Sequence, residues 1–258
     1  MSVHTHPTAI IAPDAQLGDG VVIGPFAIIG DGCVVGDECV IGARATLERN
    51  VILDAHVKVG SGTILGGDPQ DLKYKGERTF VEIGEGTTIR EYTTINRGTA
   101  QSHKTSVGRN CFIMSYVHLA HDCHIGDGVI LGNVVQLAGH VTIDERAIIS
   151  GQTAVHQFVQ IGRFSFTGGC SRVAKDVPPY VKANGNPIKL YGLNKVGLQR
   201  NGFSEEVQRE LKRAYRLFFN SDMNLSQARE RAESELQRYP EVEEFLSFFD
   251  RSDRGLVI

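Results

Sequence analysis

The stretch that decides the fold runs from residue 11 to residue 36 and reads I-A-P-D-A-Q-L-G-D-G-V-V-I-G-P-F-A-I-I-G-D-G-C-V-V-G. An aliphatic residue returns at every sixth position, and a glycine often follows it: Ile11, Leu17, Ile23, Ile29 and Val35. An α-helix cannot keep this period on one face, because about 3.6 residues per turn would rotate the stripe away. Short strands joined by tight turns can, so the stretch predicts stacked coils of parallel strands.

The same period extends far beyond this stretch. It resumes in phase at Ile83 and continues to Val173, with Thr167 as one polar step. A second, small register follows four residues after each aliphatic position, and it contains four of the five cysteines: Cys33, Cys39, Cys111 and Cys123. A free cysteine at an inward position acts as a small hydrophobe, so we expect reduced thiols with a structural role.

Two polar segments interrupt the repeat, and residues 67–79 and 99–105 are therefore predicted as projecting loops. Loops on a rigid scaffold are favoured places for function. Near residue 191 the pattern becomes helical, with helix starts indicated at Ser204, Asn224 and Pro240. We predict an all-β solenoid over residues 1–190 and a C-terminal helical domain over residues 191–258, which covers the open end of the solenoid.

Composition excludes several classes of protein. The chain has 258 residues and a formal net charge of −3, which argues against a protein that coats nucleic acid. No basic segment followed by a long apolar run opens the sequence, so we expect no signal peptide. No window approaches eighteen uninterrupted apolar residues, and we therefore expect no insertion into a membrane.

Residues 116–128, Y-V-H-L-A-H-D-C-H-I-G-D-G, hold the densest group of ionisable side chains. If eighteen residues make one coil, residues eighteen apart lie on adjacent coils, about 4.8 Å from each other. His121 should then stack with Gly139 and Gln157, and Asp122 should stack with His140. Together with His156, these residues are predicted to collect along one edge of the solenoid.

This edge suits proton transfer. An imidazole can remove a hydroxyl proton near neutral pH, and a neighbouring carboxylate orients it and stabilises its protonated form. A backbone N–H aimed at a developing oxyanion would supply the rest, and Gly139, directly above His121 in the stack, has no side chain to obstruct a substrate. We predict no metal, because the H-x-x-H-x-x-H pattern turns around the coil, although a zinc site using His121, His140 and a neighbouring subunit stays open. No chemical role is predicted for four isolated histidines, which are His4, His6, His56 and His103.

Several motifs together resemble one family. These are Q-D-L-K-Y-K-G-E at 70–77, H-L-A-H-D-C at 118–123, L-A-G-H-V at 137–141, A-V-H-Q-F at 154–158, D-V-P-P-Y-V at 176–181, R-N-G-F at 200–203, Y-P-E-V at 239–242 and the terminal R-S-D-R-G-L. The chain resembles the UDP-N-acetylglucosamine 3-O-acyltransferases of lipid A biosynthesis over essentially its whole length. The resemblance implies a left-handed parallel β-helix, whereas the general rule for parallel crossovers favours the right-handed form.

The resemblance also implies an activity. A cytoplasmic bacterial homotrimer, with active sites between its subunits and without a cofactor, would transfer a (R)-3-hydroxyacyl group from acyl carrier protein to the 3-position of UDP-N-acetylglucosamine. His121 is the implied general base, Asp122 its orienting partner and Gly139 the oxyanion donor. The residues implied to bind substrates are Asp71, Lys73, His118, His140, His156 and Gln157, with Asn194 and Arg200 at the nucleotide phosphates and Gly169 at the end of a deep acyl channel.

Departures from the family pattern leave the acceptor open. Asn96 stands where the family often has histidine, Val196 where an acidic residue is usual, and Asn201 where a second arginine is usual. The 3-substituent of the sugar could therefore be a hydroxyl or an amine. A basic run is either a solvated helix face or a docking patch for the acidic carrier protein: Lys195, Arg200, Arg209, Lys212, Arg213 and Arg216.

Three rival classes make different predictions. The related N-acyltransferase of the same pathway carries an N-terminal uridine-binding domain, for which the repeat, beginning by Ile11, leaves no room. A non-enzymatic β-helix predicts no cluster of ionisable residues on one edge. A zinc hydratase similar to γ-type carbonic anhydrases predicts bound metal.

Overall fold

The computed structural model describes residues 3–258, so the first two positions of the predicted β domain lie outside the described residues. Within that range the chain forms 28 strands and four helices. Most strands contain two residues, because each is one side of a coil. The first fourteen are β1 (His4–Thr5), β2 (Ile10–Ile11), β3 (Gln16–Leu17), β4 (Val22–Ile23), β5 (Ile28–Ile29), β6 (Val34–Val35), β7 (Val40–Ile41), β8 (Thr46–Leu47), β9 (Val51–Leu53), β10 (Lys58–Val59), β11 (Ile64–Gly67), β12 (Phe80–Ile83), β13 (Thr88–Ile89) and β14 (Thr94–Asn96).

The remaining strands continue the same pattern up to the C-terminal helices. They are β15 (Lys104–Val107), β16 (Phe112–Ile113), β17 (His118–Leu119), β18 (His124–Ile125), β19 (Ile130–Leu131), β20 (Gln136–Leu137), β21 (Thr142–Ile143), β22 (Ile148–Ile149), β23 (Ala154–Val155), β24 (Gln160–Ile161), β25 (Phe166–Thr167), β26 (Arg172–Val173), β27 (Val181–Asn184) and β28 (Lys189–Leu193).

Every third strand belongs to the same sheet, so the coil has three walls. Wall A begins with β1 and β4, wall B with β2 and β5, and wall C with β3 and β6. The strands pair in parallel throughout, except that β27 and β28 form an antiparallel hairpin at the end of wall A. The predicted parallel coil is thereby confirmed.

The two polar segments enter the coil as extra residues. Strand partners normally lie eighteen residues apart, as Ile10 and Ile28 do. Lys58 instead pairs with Thr88 across the first segment, and Thr94 pairs with His118 across the second. The stack continues in register on both sides, so the added residues leave the walls intact.

The core follows the two registers of the sequence. The aliphatic position of each coil is buried from Ile23 to Ile161, and the small position is buried beside it. Four cysteines are free and buried, as predicted, whereas Cys170 is exposed. Burial raises the pKa of the Cys123 thiol to about 12, which is typical of an inert core cysteine.

Four helices follow the walls: α1 (Lys195–Arg200), α2 (Glu205–Phe219), α3 (Leu225–Glu235) and α4 (Pro240–Phe248). The predicted starts of the last three are confirmed, with a capping box between Asn224 and Gln227. Helix α1 and the β27–β28 hairpin were not predicted, because α1 spans less than two turns and contains Gly197. Strand β28 crosses the boundary expected between residues 190 and 191, so the division into two domains stays a prediction.

The end of the chain folds back onto the solenoid. Asp176 is fully buried and accepts hydrogen bonds from the backbone N–H of Gln160 (2.7 Å) and from the Ser252 hydroxyl (2.7 Å). A bridge also pairs Asp176 with Leu256. The terminal R-S-D-R-G-L motif therefore ties the helical region to the last coils. Among residues 3–258, none of the helices has the length and apolar character needed to cross a bilayer.

Candidate active site

Three residues of successive coils stack at the corner between walls B and C. Asp122, His140 and Phe158 each turn the chain through the left-handed region, with φ of 59°, 62° and 64°. This conformation is unfavourable for residues other than glycine, by an amount on the order of 1 kcal/mol. The stack imposes it at each turn, and the rings of His140 and Phe158 lie parallel with centroids 4.4 Å apart.

His121 and Asp122 form a close pair at this corner. The Nδ1 of His121 lies 2.8 Å from Oδ2 of Asp122. Because an ionised carboxylate only accepts hydrogen bonds, Nδ1 carries the proton and donates it, which leaves Nε2 of the neutral ring as an acceptor. The Nε2 of His140 lies 3.6 Å from the same Oδ2, and burial lowers the pKa of the His140 ring.

Gly139 lies directly against the Cε1–Nε2 edge of the His121 ring. A Cβ at position 139 would come within 2.6 Å of Cε1 and 2.8 Å of Nε2 of that imidazole. The absence of a side chain is therefore what keeps Nε2 open. The Gly139 N–H has no protein acceptor among residues 3–258, so it is free to donate to a bound group.

The segment after β14 supplies most of the contacts to Asp122. Thr99 donates its backbone N–H to Oδ1 (2.8 Å) and its hydroxyl to Oδ2 (2.8 Å), and the Ser102 hydroxyl donates to Oδ1. Burial alone would raise the pKa of Asp122, but the hydrogen bonds from Ser102, His121 and Thr99 outweigh it and lower the pKa to about 2. Asp122 is thus a fully buried, ionised carboxylate.

Sequence reasoning missed Thr99 and Ser102. The available indication was that a polar segment interrupts the repeat one coil before His121. Nothing in the segment T-A-Q-S-H-K-T identifies which of its hydroxyl groups turns inward, because serine and threonine also occur in loops whose side chains are all solvated.

The segment after β11 forms the opposite side of a cavity of about 770 Å³. Asp71 and Lys73 face His121 and His140 across it, and Asp71 accepts a hydrogen bond from the backbone N–H of Lys73 (2.9 Å). The cavity is lined by Gln70, Asp71, Leu72, Lys73, Tyr74, Glu77, Thr99, Ala100, Gln101, His121, His140, Gln157 and Phe158.

A buried arginine anchors that segment to the solenoid. Arg97 is almost fully buried and donates hydrogen bonds to the Gly66 carbonyl, to the Asp68 carboxylate and to the Tyr74 hydroxyl (3.0 Å). Asn96 adds a bond from its side-chain nitrogen to the Asp68 carbonyl (2.8 Å). The position that departs from the family pattern thus contacts the base of the loop.

A second cavity, of about 450 Å³, lies on the wall B side of the same corner. It joins His118, His121, Gly139 and Gln157, and Gln157 also lines the larger cavity. His118 bonds through Nδ1 to the Thr94 hydroxyl (2.8 Å), and burial lowers the pKa of its ring. A substrate at His121 could therefore extend to either side of the corner.

Four predicted binding residues lie outside these two cavities. His156 contacts the Gln157 carbonyl and the Arg254 guanidinium on the surface. Gly169 lies against the Gly151 carbonyl, farther along the stack. Asn194 caps α1 and donates to the Phe164 carbonyl (3.0 Å), and Arg200 ends α1. In a single chain, none of these four residues lines either cavity at His121.

One group of potential metal ligands converges within residues 3–258. Ligand atoms of His121, Asp122 and His140 all lie within 4.8 Å of one another. A metal at this place would have to displace the N–H that His121 donates, and both oxygens of Asp122 already accept hydrogen bonds. The absence of a catalytic metal stays a prediction.

Similar proteins are known over nearly the whole length of the chain. A family model described as UDP-N-acetylglucosamine O-acyltransferase, domain 2, matches residues 176–257, and the bacterial transferase hexapeptide model matches residues 14–49 and 104–139. The chain is 45% identical over 253 residues, with 98% of each chain covered, to the acyl-[acyl-carrier-protein]–UDP-N-acetylglucosamine O-acyltransferase of Thiobacillus denitrificans. Identity to the protein of that name in Burkholderia orbicola is 47% over 257 residues, also with 98% of each covered.

The chain belongs to the UDP-N-acetylglucosamine O-acyltransferase family. The solved UDP-N-acetylglucosamine acyltransferase of Bacteroides fragilis superposes with a TM-score of 0.96 and 39% identity, over 98% of this chain and 99% of that one. The corresponding structure from Moraxella catarrhalis gives 0.95 and 39%, with both chains fully covered. The predictions of an acyltransferase and of a left-handed parallel β-helix with C-terminal helices are confirmed.

Proposed function

We propose that this family member transfers a (R)-3-hydroxyacyl group from acyl carrier protein to the 3-hydroxyl of UDP-N-acetylglucosamine, the first step of lipid A biosynthesis in the bacterial cytoplasm. The observation that carries the mechanism is the His121–Asp122 pair, whose free Nε2 faces a cavity beside Gly139. The names of the relatives, which are O-acyltransferases, support a hydroxyl rather than an amine as the acceptor.

In the proposed reaction, Nε2 of His121 takes the proton of the sugar hydroxyl while the hydroxyl oxygen attacks the thioester carbonyl. The negative charge that develops on the carbonyl oxygen is stabilised by the Gly139 N–H. When the C–S bond breaks, the protonated imidazole returns the proton to the departing thiolate. The new C–O bond replaces the thioester bond, and no covalent acyl-enzyme forms.

We further propose that the working unit is a homotrimer. Wall B, which carries His118, exposes Ile10, Ile28 and Ile64 to solvent in a single chain. Asn194 and Arg200 lie away from His121 in the same chain, so the nucleotide contacts implied for them require a neighbouring subunit. Light scattering on the purified protein measures the mass directly, and a monomer would remove this part of the proposal.

The acyl channel is proposed to accept a long chain because position 169 is a glycine. A Cβ there would meet the Gly151 carbonyl oxygen at 3.2 Å and the Cβ of Ser150 at 3.9 Å, so the Gly151 backbone would have to move slightly to accept a side chain. We expect Gly169→Met to shift the preference to shorter donors in a competition assay with hydroxyacyl carrier proteins of several lengths. An unchanged preference would contradict the channel assignment.

The experiment that tests the function measures acyl transfer from a panel of hydroxyacyl carrier proteins to UDP-N-acetylglucosamine and to its 3-amino analogue. Wild type and His121→Ala are compared under identical conditions. Transfer to the hydroxyl acceptor that collapses in the variant is expected. Preferred transfer to the amine would replace the proposed acceptor, and undiminished transfer without His121 would overturn the base assignment.

A further inference from the structure

The strongest unassigned feature of the molecule is the set of donors that surrounds Asp122. Three of its hydrogen bonds come from one short segment, through the Thr99 N–H, the Thr99 hydroxyl and the Ser102 hydroxyl. In the same segment, the Thr105 hydroxyl accepts a hydrogen bond from the backbone N–H of Asp122 (2.9 Å). Asp122 is therefore fixed through both its carboxylate and its backbone.

Each oxygen of Asp122 has a distinct role in this arrangement. Oδ1 accepts only from the segment, whereas Oδ2 is shared between the Thr99 hydroxyl and the His121 ring. The single proton of the Ser102 hydroxyl has a second possible acceptor, the Lys104 carbonyl at 2.8 Å. The charged acceptor forms the stronger bond, so the hydroxyl donates to Asp122.

We propose that Thr99 and Ser102 are positioning residues, which hold Oδ2 of Asp122 against His121 and set how strongly this carboxylate stabilises the protonated imidazole. The proposal rests on the proposed function of His121 as the base. Each donor that binds the carboxylate withdraws part of its negative charge. Removing one donor should therefore favour protonated His121, so that the base becomes available only at higher pH.

Other charged or titratable groups near His121 come from several elements and are left unchanged by these substitutions. His118 of β17 lines the second cavity with His121, and His124 of β18 interacts electrostatically with Asp122. His140 from the next coil approaches the ring edge-on, with ring centroids 5.1 Å apart. Asp71, Lys73 and Glu77 face the cavity from the segment after β11. A shift in pH dependence confined to variants of Thr99 and Ser102 is thus attributable to Asp122.

The test measures kcat/KM against pH for Ser102→Ala and Thr99→Val, because this profile reports the ionisation of the free enzyme. We expect the acidic limb to move up by about half a pH unit in each variant, and kcat on the plateau to fall by roughly tenfold in Thr99→Val. KM for the sugar nucleotide should change little. Ser102→Thr, which keeps the hydroxyl, should keep the acidic limb of the wild type. If Thr99→Val fails to fold, the comparison of Ser102→Ala with Ser102→Thr still tests the inference.

Ser106→Ala is the matched control, since its hydroxyl lies 2.9 Å from Nδ1 of His124 on wall C. This control should keep the wild-type profile. An acidic limb that stays in place in folded Ser102→Ala and Thr99→Val would overturn the inference, and so would a loss of activity equal at every pH. His121→Ala separates the two proposals. If this variant retains activity, the assignment of His121 as the base fails. If it is inactive while the acidic limbs of Ser102→Ala and Thr99→Val stay in place, only the present inference fails.

Discussion

His121 and His124 lie three residues apart on one coil, yet one stands at a corner and the other on a wall. On wall C, His124 bonds through Nδ1 to the Ser106 hydroxyl (2.9 Å), and burial lowers the pKa of its ring. At the corner, His121 bonds to an ionised carboxylate and lines the cavity. Both residues are histidines of the same coil, so their different positions on the coil make the difference.

The backbone explains why only the corner can build such a pair. Along a strand, consecutive side chains point to opposite faces, so Cys123 and Ile125 are buried in the core while His124 between them points outward. At the corner, the left-handed turn of Asp122 places its side chain on the same side as that of His121. The side chains of adjacent residues can therefore contact each other at a corner. On a wall they point to opposite faces and cannot.

The largest expected effect comes from removing each histidine in turn. We expect His121→Ala to lower kcat/KM by roughly 10³-fold, within the range typical of a lost general base. His124→Ala should retain activity within a few-fold, because its ring hydrogen-bonds to Ser106 on the wall and does not line the cavity at His121. Steady-state kinetics of both variants measure this ratio, and a comparable loss in both would remove the distinction between corner and wall.

A methyl group at the corner is the second way to test the comparison. In Gly139→Ala the new Cβ would overlap the His121 ring, and displacement of the base is expected to lower kcat by roughly 10²-fold. Position 142 offers the control, because Thr142 pairs with His124 on wall C and already carries a full side chain. Thr142→Ala should change kcat little, and an active Gly139→Ala enzyme would contradict the placement of the base.

Acid titration distinguishes the corner carboxylate from one on the wall. Because hydrogen bonds lower the folded-state pKa of Asp122 from 3.8 to about 2, its contribution to stability is present above pH 4 and is lost as the pH falls towards 2. We expect Asp122→Asn to remove about 2 kcal/mol of this pH dependence. Chemical unfolding at several pH values and fixed protein concentration measures it.

The matched wall variant is Glu82→Gln. Glu82 forms a partly exposed ion pair with Lys104 on wall C (2.7 Å), and pairs of this kind contribute little to stability. The unfolding free energy of Glu82→Gln should change with pH in the same way as that of the wild type across the acidic range. Parallel pH dependence in wild type and Asp122→Asn would show that the corner carboxylate is not specially stabilised.

The smallest effect is expected far from the corner, at the basic run that is either a solvated helix face or a docking patch for the carrier protein. Lys182, Lys195, Lys212 and Arg216 line a basic groove of about 510 Å³ between β28 and α2. We expect Lys212→Glu to raise the KM for the carrier protein about threefold or more at low salt, and less at high salt. An equal effect from Lys58→Glu, on the exposed face of β10, would indicate a nonspecific charge effect.

Arg213 is unsuitable for that experiment, although it belongs to the same basic run in the sequence. Its guanidinium binds the buried carboxylate of Glu210 (2.8 Å) and the Glu235 carbonyl (3.1 Å). Reversing its charge would remove the closest cation from Glu210 and destabilise the contact between α2 and α3. Sequence periodicity cannot separate a docking arginine from a structural one on the same helix.

The sequence predicts the walls and the corner well, because both follow from a fixed period. His121, Asp122, Gly139 and Gln157 meet where the eighteen-residue spacing places them. The contacts of Thr99, Ser102 and Arg97 could not be predicted, since they come from segments outside the period whose conformation depends on tertiary contacts. The predicted left-handedness came from resemblance alone, because the general preference for parallel crossovers is the opposite.

The eighteen-residue register also constrains how such a site can change over evolutionary time. A one-residue insertion between Asp122 and His140 would shift every later side chain by one position and exchange inward for outward residues. Length can vary without this penalty only where residues already leave the walls, after β11 and after β14. The first segment lines the cavity at His121, and the second binds the carboxylate of Asp122. Heritable changes in their length would therefore reshape the surroundings of His121 and Asp122 while the corner itself keeps its phase.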